Sequence, residues 1–389
     1  MEGVSLDEFA RIRHWTERRQ SKALLASQGV VLGIGDDAAV VGTPPGESGA
    51  LEWLLAVDTM VETVHFNDAT MAEADVGWKA LAANVSDIAA MGGTPRHALV
   101  SVSVPKTWEP ERVRRLYDGL YACAEHYGVA VVGGDTTSSP LHLVVAVTVT
   151  GTVAAGRAVS RAGARPGDAV FVTGAAGMSA AGLHFLLAAA AAGEAAPAVA
   201  AQPGGGAASG SPLVAAAAAA SAPRPQPVPP AAAEAAGTAA LVQAHRRPAP
   251  SVRAAALLAA RGTVTSLNDV SDGLASEAWE IAEASGVKLA LRESRLPKSG
   301  SLTAYANRCG VDPLEWILYG GEDYVLLGTI AAGDADAAKA ELEAAGLPMY
   351  LIGVAEAGPA AVALVRDYNE RGQAKQEPLA KRGYNHFGG

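Results

Sequence analysis

The sequence predicts a mixed α+β (α/β) fold built from two domains. Segments with helical apolar periodicity alternate irregularly with short runs of β-branched residues, which favours mixed sheets over a regular parallel array. A length of 389 residues is enough for two domains that each bury a core. A Gly- and Pro-containing connector at 156–167 changes the character of the chain. We therefore expect an N-terminal domain over residues 1–157 and a C-terminal domain over residues 158–389.

The N-terminal domain is expected to combine helices with several short strands. An apolar stripe over residues 6–15 predicts a first helix. A longer helical pattern runs from Ala72 to Met91 and ends at Gly92 and Gly93, which are typical of a helix C-terminus. The other expected elements are strands at 30–34, 38–41, 53–57 and 97–104, a helix at 109–127, a buried strand at 129–132 and a strand at 141–149.

The C-terminal domain is interrupted by a low-complexity stretch of Ala, Pro and Gly from about 191 to 238. Few large apolar residues lie there, so core formation would not offset the entropy of ordering it. We predict a disordered insertion. The elements expected around it are strands at 169–173, 264–267, 287–291, 324–329, 349–354 and 361–365 and helices starting near residues 178, 251 and 273.

Composition narrows the class of partner. The formal net charge of −10 argues against nucleic acid, because phosphate backbones attract basic surfaces. Cys123 and Cys309 lack metal-type spacing, which favours inert thiols and a reducing compartment. We find no signal-peptide pattern and no apolar run of about 20 residues, the length that a membrane span needs. We expect a cytoplasmic protein.

Aspartates recur in short, glycine-containing motifs with few basic residues beside them. Converging carboxylates repel one another unless cations lie between them, and hard oxygen ligands suit Mg²⁺. Glycine lets a phosphate approach backbone N–H groups closely. The pattern therefore predicts a metal–nucleotide site. The motifs are Gly-Ile-Gly-Asp-Asp (33–37), Ala-Val-Asp-Thr (56–59), Asn-Val-Ser-Asp (84–87), Gly-Gly-Asp-Thr-Thr (133–137) and Asn-Asp-Val-Ser-Asp-Gly (268–273).

Each motif alone also has a structural interpretation. Asp36 and Asp37 could form an Asx turn, and Ser271 or Asp272 could cap a helix. A helical Asp87 could be solvated surface, and the Gly-Gly-Asp and Gly-Gly-Glu motifs could be turns at strand ends. His65 alone favours a structural role. The chain lacks a GxxxxGK[ST] loop and a GxSxG elbow, which counts against a P-loop fold and a serine hydrolase.

Taken together and in this order, the motifs resemble those of the thiamine-monophosphate kinase family. That family lies in the superfamily of aminoimidazole ribonucleotide synthetase. The similarity runs from Gly33 to Lys-Arg-Gly-Tyr-Asn-His-Phe at 381–387 and includes Gly-Gly-Glu-Asp-Tyr at 320–324. It implies a two-domain aminoimidazole ribonucleotide synthetase-like architecture and a homodimer of N-terminal domains. It also implies ATP- and Mg²⁺-dependent phosphorylation of thiamine monophosphate to thiamine diphosphate.

The resemblance also implies three sets of site residues. The metal ligands would be Asp37, Asp58, Asp87, Asp135, Asp269 and Asp272. The ATP-binding residues would be Tyr117, Gly134, Asp135, Arg161 and Ser271. The thiamine-phosphate side would be His65, Glu322 and Tyr384. No side-chain base is required, because the acceptor phosphate is already ionised. One departure is that Ala56 and Val57 replace hydroxyl residues that the family often carries just before the aspartate of the Asp-Thr motif, which is Asp58 here.

Two alternatives stay open at this point. An aminoimidazole ribonucleotide synthetase-like ligase would use ATP to activate an amide oxygen. A noncatalytic module would bind Mg²⁺ and nucleotide without turnover. ATP turnover that depends on thiamine monophosphate would distinguish the kinase from both.

Overall fold

The computed structural model describes residues 21–33, 35–42, 49–193, 230–366 and 375–384. It contains two sheets with helices packed against them, which confirms the mixed α+β class. The N-terminal elements are α1 (Lys22–Ser27), β1 (Val30–Leu32), β2 (Ala39–Val41), β3 (Leu51–Val61), α2 (Glu73–Ala90), β4 (Thr94–Pro105), α3 (Pro110–Tyr127), β5 (Ala130–Ser139) and β6 (Val144–Ala154).

The C-terminal elements begin after a connector that follows β6. They are β7 (Ala169–Val172), α4 (Met178–Ala192), α5 (Pro230–Arg246), α6 (Val252–Arg261), β8 (Val264–Asp269), α7 (Leu274–Ser285), β9 (Lys288–Arg292), α8 (Gly300–Cys309), α9 (Pro313–Tyr319), β10 (Leu326–Ile330), α10 (Ala332–Ala344), β11 (Tyr350–Glu356), β12 (Ala361–Arg366) and β13 (Lys375–Pro378). Their seven-stranded sheet has the order β13-β12-β9-β11-β7-β10-β8 and is antiparallel except for β9–β12.

The N-terminal sheet has the strand order β1-β2-β3-β6-β4-β5 and is antiparallel except for β4–β5. β3 pairs with β6 along its whole length. On its other side β3 pairs with β2 only from Trp53 to Leu55. Beyond that pairing, from Ala56 to Val61, this edge of β3 has no strand partner among the described residues. No neighbouring strand therefore covers this edge of β3 among the described residues.

Alternation along the strands gives this sheet two different faces. One face is covered by α2 and α3. The opposite face, called the open face below, exposes large apolar side chains. They are Leu51, Trp53, Leu55 and Val57 on β3 and Leu99 on β4.

Helices α2 and α3 approach each other closely because each carries a glycine at the contact. A Cβ on Gly77 would lie 1.9 Å from the carbonyl oxygen of Leu116. A Cβ on Gly119 would lie 1.7 Å from the carbonyl oxygen of Ala74. No larger side chain fits at either position without moving the backbone, so these glycines fix the spacing of the two helices.

Helix α2 also joins the two halves of the chain. Its last turn, at Ala89 and Ala90, lies in an apolar cluster with residues of α6, β8 and β10. Near its first turns, Trp78 Nε1 donates to the carbonyl oxygen of Pro248 over 3.0 Å. Arg247 Nε donates to Asp75 Oδ1 over 2.7 Å. The C-terminal half is thus docked along the full length of α2.

Most of the expected helices and strands are present, and the predicted long helix is α2 with Gly92 just after its end. The boundary proposed at residue 157 falls in the connector between the two sheets. The helix expected at 6–15 lies outside the described residues. Within the part of the chain that the structure describes, no helix has the length and apolar character needed to cross a membrane.

The prediction of a buried strand at 129–132 was wrong. Strand β5 is the edge of the sheet and is mostly exposed, with Val132 60% accessible. The Gly-Gly-Asp-Thr-Thr motif therefore lies inside a strand and is not a turn at its end. Gly134 is required there because a Cβ would lie 1.8 Å from the carbonyl oxygen of Val100 on β4.

The predicted insertion at 191–238 extends too far at its C-terminal end. Residues 230–238 begin helix α5, which buries Leu241 and Val242 further along. α5 packs tightly on α4, where a Cβ on Gly182 would lie 2.1 Å from the carbonyl oxygen of Leu241. Small residues here allow close helix packing, which their low hydrophobicity did not indicate. Residues 194–229 lie outside the described residues, so disorder there stays a prediction.

Candidate active site

A cleft of about 490 Å³ lies between the two halves of the molecule. It is bordered by the free edge of β3, one face of α2, helix α4 and two loops of the C-terminal half. Seven residues predicted from the sequence line it. They are Asp58, His65, Asp87, Ser271, Asp272, Glu322 and Tyr384.

Three carboxylates converge beside this cleft. Asp37, Asp87 and Asp269 each have an oxygen within 4.8 Å of the other two. They come from the loop before β2, from α2 and from the end of β8, so both halves of the chain contribute. Ser86 Oγ donates to Asp269 Oδ2 over 2.5 Å, which joins α2 to β8 at this point.

Burial and mutual repulsion make these carboxylates hard to ionise. Burial raises the pKa of Asp58 and of Asp269 to about 6. The pKa values of Asp37 and Asp87 are raised well above the usual range, first by burial and then by neighbouring carboxylates, although Arg161 opposes the rise. Asp37 Oδ2 is buried without a hydrogen-bond partner among the described residues. Such a donor set fits a hard divalent cation, which would compensate the negative charge.

Asp58 is held at the free edge of β3 by an asparagine of α2. The Asn84 Nδ2 group donates to the carbonyl oxygen of Ala80, and Asn84 Oδ1 accepts the backbone N–H of Asp58 over 3.0 Å. Asn84 and Asp87 are three residues apart on α2 and therefore share a face of the helix. Of the two departures before Asp58, Ala56 is buried and Val57 is exposed at the cleft.

Arg161 contacts the carboxylate cluster directly. Its guanidinium forms an ion pair with Asp37 and approaches Glu280 Oε2 to 2.9 Å and Asp36 Oδ1 to 3.7 Å. Sequence analysis placed this arginine on ATP and found few basic residues near the aspartates. The structure shows one cation already in the cluster, and its ATP contact stays a prediction.

Two buried acids of α7 were missed in the sequence. Glu277 Oε1 accepts the backbone N–H of Asp272 over 3.0 Å and the Ser271 hydroxyl over 3.3 Å. Asn268 Nδ2 donates to both acids, over 2.5 Å to Glu277 Oε2 and over 3.2 Å to Glu280 Oε2. Their spacing of three residues just after Val-Ser-Asp-Gly was the available signal, because such positions share a helix face.

The capping alternative for Ser271 and Asp272 was wrong. The N-cap of α7 is Gly273, at φ 116°, without a side-chain cap. Ser271 and Asp272 lie before it and line the cleft. Glu277 holds them from inside the helix, so their side chains are not used to start α7.

The Gly-Gly-Glu-Asp-Tyr loop packs against this same segment. The Glu322 N–H donates to the carbonyl oxygen of Ser271 over 2.6 Å. The Asp323 carboxylate accepts backbone N–H groups from Gly177 and Ser179, over 2.5 and 3.0 Å, at the start of α4. Asp323 is therefore a helix cap, whereas Glu322 faces the cleft.

His65 and Tyr384 also line the cleft. His65 Nδ1 accepts the backbone N–H of Val61 over 3.0 Å, so one ring nitrogen has a structural role. The Tyr384 N–H donates to the carbonyl oxygen of Asp272 over 3.1 Å. That bond ties the C-terminal segment to the Ser271–Asp272 loop.

Three predicted residues are not brought to this cleft within one chain. Asp135 aligns across β4 and β6 with Thr59. Paired residues share a face and neighbours alternate, so Asp135 points to the face opposite Asp58. The separation is three strand spacings, about 14 Å. Gly134 lies on the same strand, and Tyr117 lies near Thr136 beside it.

The fold and the carboxylate-lined cleft define a member of the AIR synthase class. Family models described as AIR synthase related protein, N-terminal domain and C-terminal domain, match residues 35–153 and 230–366. A solved structure of AaThiL complexed with AMPPCP and TMP superposes with a TM-score of 0.72 at 30% identity, over 99% of both chains.

Curated relatives narrow the class. The thiamine-monophosphate kinase of Bacillus subtilis (strain 168) is 37% identical over 98% of this chain and 100% of its own length. That of Salmonella typhimurium (strain LT2) is 30% identical over 99% of each. The chain belongs to the thiamine-monophosphate kinase family.

Proposed function

We propose that the protein transfers the γ-phosphoryl group of ATP to thiamine monophosphate and so forms thiamine diphosphate and ADP. One observation carries the proposal: Asp37, Asp87 and Asp269 converge from both halves beside a cleft that is also lined by the residues predicted to bind thiamine monophosphate, His65, Glu322 and Tyr384. Relatives of this chain are thiamine-monophosphate kinases over their full length, and a solved neighbour binds AMPPCP and TMP. The comparisons do not favour a synthetase-like ligase.

Both substrates are anionic, so charge is the central problem of the reaction. Two unit charges at 4 Å repel by about 4 kcal/mol at an effective dielectric near 20. Bound Mg²⁺ would neutralise the phosphates and stabilise charge on the transferred group. Asp37, Asp87 and Asp269 would hold it, together with Asp58 and Asp272 at the cleft wall.

The chain's own residues orient the reactants and hold the site together. Asn84 fixes the strand that carries Asp58, and Glu277 fixes the loop that carries Ser271 and Asp272. Arg161 keeps a positive charge beside the cluster. The acceptor phosphate oxygen forms the new bond to phosphorus, and the bond to the ADP oxygen breaks. No side-chain base is required because the acceptor oxygen is already ionised.

A homodimer formed through the open face is part of this proposal. Exposed apolar patches of this kind mark contact surfaces. Asp135 points to the same face and lies about 14 Å across the strands from Asp58. We propose that Gly134, Asp135 and Tyr117 serve nucleotide binding in the context of the dimer, because one chain alone keeps Asp135 away from the cluster.

Turnover with defined acceptors tests the proposed reaction. We expect ADP and thiamine diphosphate in equal amounts with thiamine monophosphate and Mg²⁺, and neither product with chelator or with unphosphorylated thiamine. Release of inorganic phosphate alone, or ADP formation that is indifferent to thiamine monophosphate, would contradict the kinase. Nucleotide binding without turnover of any acceptor would favour the noncatalytic module.

A further inference from the structure

A buried lysine of the N-terminal half contacts Glu322 of the C-terminal half, which is predicted to bind thiamine monophosphate. Lys79 Nζ, on α2, lies 2.5 Å from Glu322 Oε2 in the C-terminal half. The Lys79 side chain is 1% exposed, whereas that of Glu322 is 28% exposed and lines the cleft. Lys79 is one helical turn from Ala83 and two from Asp87, and both of those line the cleft. The lysine therefore stands behind the cleft wall and does not form its surface.

The Glu322 carboxylate is held from a second side by α5. His245 Nδ1 lies 3.5 Å from the same oxygen, Oε2, and 3.1 Å from Ser179 Oγ. Burial, Lys79 and Arg246 lower the pKa of His245 well below its usual range, so the ring is neutral. Burial also lowers the pKa of Lys79, but Glu322 opposes that shift, so Lys79 is the group of the two that pairs with Glu322 as a cation. Both contacts converge on one oxygen and leave the remainder of the carboxylate directed to the cleft.

The backbone at Glu322 has an uncommon conformation. Its φ of 65° is in the left-handed region, which a non-glycine residue occupies at a cost and usually at functional sites. The preceding Gly321 is required because a Cβ would lie 2.3 Å from the carbonyl oxygen of Ser271. A strained position on a crowded loop needs external contacts to persist, and the ion pair with Lys79 is one of them.

We propose that Lys79 is a positioning residue for thiamine monophosphate: it holds the Glu322 carboxylate so that its cleft-facing edge accepts a hydrogen bond from an N–H donor of that substrate. This inference rests on the proposed kinase function and adds to it. Because Lys79 compensates the charge, Glu322 selects a hydrogen-bond donor and does not act as a counter-ion. Because Lys79 belongs to the other half, acceptor binding depends on an N-terminal residue that never touches the acceptor.

Variants of the pair separate positioning from general stability. In K79M the methionine keeps most of the length of the side chain and removes the charge. We expect the KM for thiamine monophosphate to rise about tenfold or more, with the KM for ATP within about twofold of wild type. E322Q should show the same split, and the K79M/E322Q double variant should be no worse than either single variant, since both act through one contact. K79R should restore part of the acceptor affinity.

A neighbouring ion pair provides the matched control. Asp75 is one turn before Lys79 on α2 and also pairs across the halves, with Arg247, but it does not line the cleft. D75N should lower the melting temperature and leave both KM values unchanged. An equal rise in the acceptor KM in D75N would show that docking of the halves, and not Lys79, sets the effect.

The outcomes also separate this inference from the proposed reaction. A wild-type protein that neither binds nor phosphorylates thiamine monophosphate refutes the reaction. An active wild type together with K79M at wild-type acceptor KM refutes only the positioning role. K79M leaves the Glu322 carboxylate without its cation and could therefore fail to fold. In that case the K79M/E322Q double variant, which removes both charges, tests the positioning role. Calorimetry with thiamine monophosphate and AMPPCP should then show about tenfold weaker acceptor binding, and wild-type binding would overturn the inference.

Discussion

The carboxylates of the cluster differ from ordinary surface aspartates because the fold brings them together before any cation binds. Burial and like charge raise the pKa values of Asp37, Asp87 and Asp269. The cluster therefore opposes folding when it is ionised and uncompensated. Changes to single residues should reveal this conflict between stability and function.

Replacing Asp87 with Asn should remove activity and strengthen the metal-free fold. Asn keeps the shape of the side chain but removes one member of a self-repelling group. We expect turnover to fall by about two orders of magnitude or more, since metal-assisted charge stabilisation contributes several kcal/mol. The melting temperature in chelator should rise slightly. Asp118→Asn, on the exposed side of α3, is the control and should change neither quantity; wild-type turnover in Asp87→Asn would exclude it from the site.

The stability of the metal-free protein should depend on pH with a defined sign. The folded pKa values of Asp58 and Asp269 are about 6, above the ordinary aspartate value of 3.8. Between about pH 4 and pH 6 the folded state therefore binds more protons than the unfolded state, and the free energy of unfolding falls as pH rises. Full ionisation of one such group lowers the free energy of unfolding by on the order of 3 kcal/mol. Denaturant titrations in chelator measure this slope, and Mg²⁺ should recover stability above pH 6.

A rise in stability across that pH range, or a slope unchanged by Mg²⁺, would contradict this account of the cluster.

At the scale of elements, close packing depends on residues that carry no side chain. The α2–α3 contact is set by Gly77 and Gly119, and the α4–α5 contact by Gly182. Helix α2 in turn positions Lys79, Asn84 and Asp87. A defect in helix spacing should therefore affect both stability and the site.

Substituting Gly119 by Ala should destabilise the N-terminal half strongly. The new Cβ would lie 1.7 Å from the carbonyl oxygen of Ala74, so one helix must move. We expect a loss of about 1–3 kcal/mol or more, the range for overpacked sites, measured by denaturant unfolding. Gly300→Ala is the control, because a Cβ there meets nothing within 4 Å. Equal stability of the two variants would show that the contact is not as tight as described.

The sequence predicted elements well where apolar periodicity was clear, as in α2 and β6. It failed for α5, because an alanine-rich helix that packs by close approach resembles a disordered stretch in composition. It placed Asp87 in the site but missed Lys79, Glu277 and Glu280. Single charged residues in helices are usually solvated, and only long-range contacts show that these three are buried. The open-face orientation of Asp135 likewise depends on strand register, which the motif does not encode.

At the scale of the whole molecule, the open face and the cleft together determine how the protein works. The open face is apolar on β3 and β4, whereas the helix-covered face carries Asp58 toward the cluster. The proposed dimer contact and the carboxylate cluster are therefore on opposite faces of one sheet, whereas Asp135 is on the dimer face. Weakening the proposed dimer contact should therefore have a measurable effect on the active site.

Placing a charge on the open face should produce monomers. Trp53 is 43% exposed and Leu99 is 47% exposed, and Trp53→Glu with Leu99→Glu would bury two carboxylates at the proposed contact. Analytical ultracentrifugation should show a dimer for the wild type and a monomer for this variant, with a higher KM for ATP. Leu187 is on α4 and is 49% exposed. The Leu187→Glu variant is the control and should remain dimeric. A monomeric wild type would contradict the proposed assembly.

The carboxylate cluster takes Asp37 and Asp87 from one half of the chain and Asp269 from the other. A cation shared among them acts as a removable crosslink, since it binds the docked halves better than the separated ones. Cutting the polypeptide near residue 157 would then give two fragments whose association is assisted by magnesium and weakened by chelator. We expect neither fragment to be active alone, because Asp269 and the cleft loops of the C-terminal half would be missing from one and Asp37 and Asp87 from the other. The two fragments would therefore reassemble with magnesium and be active only as a complex.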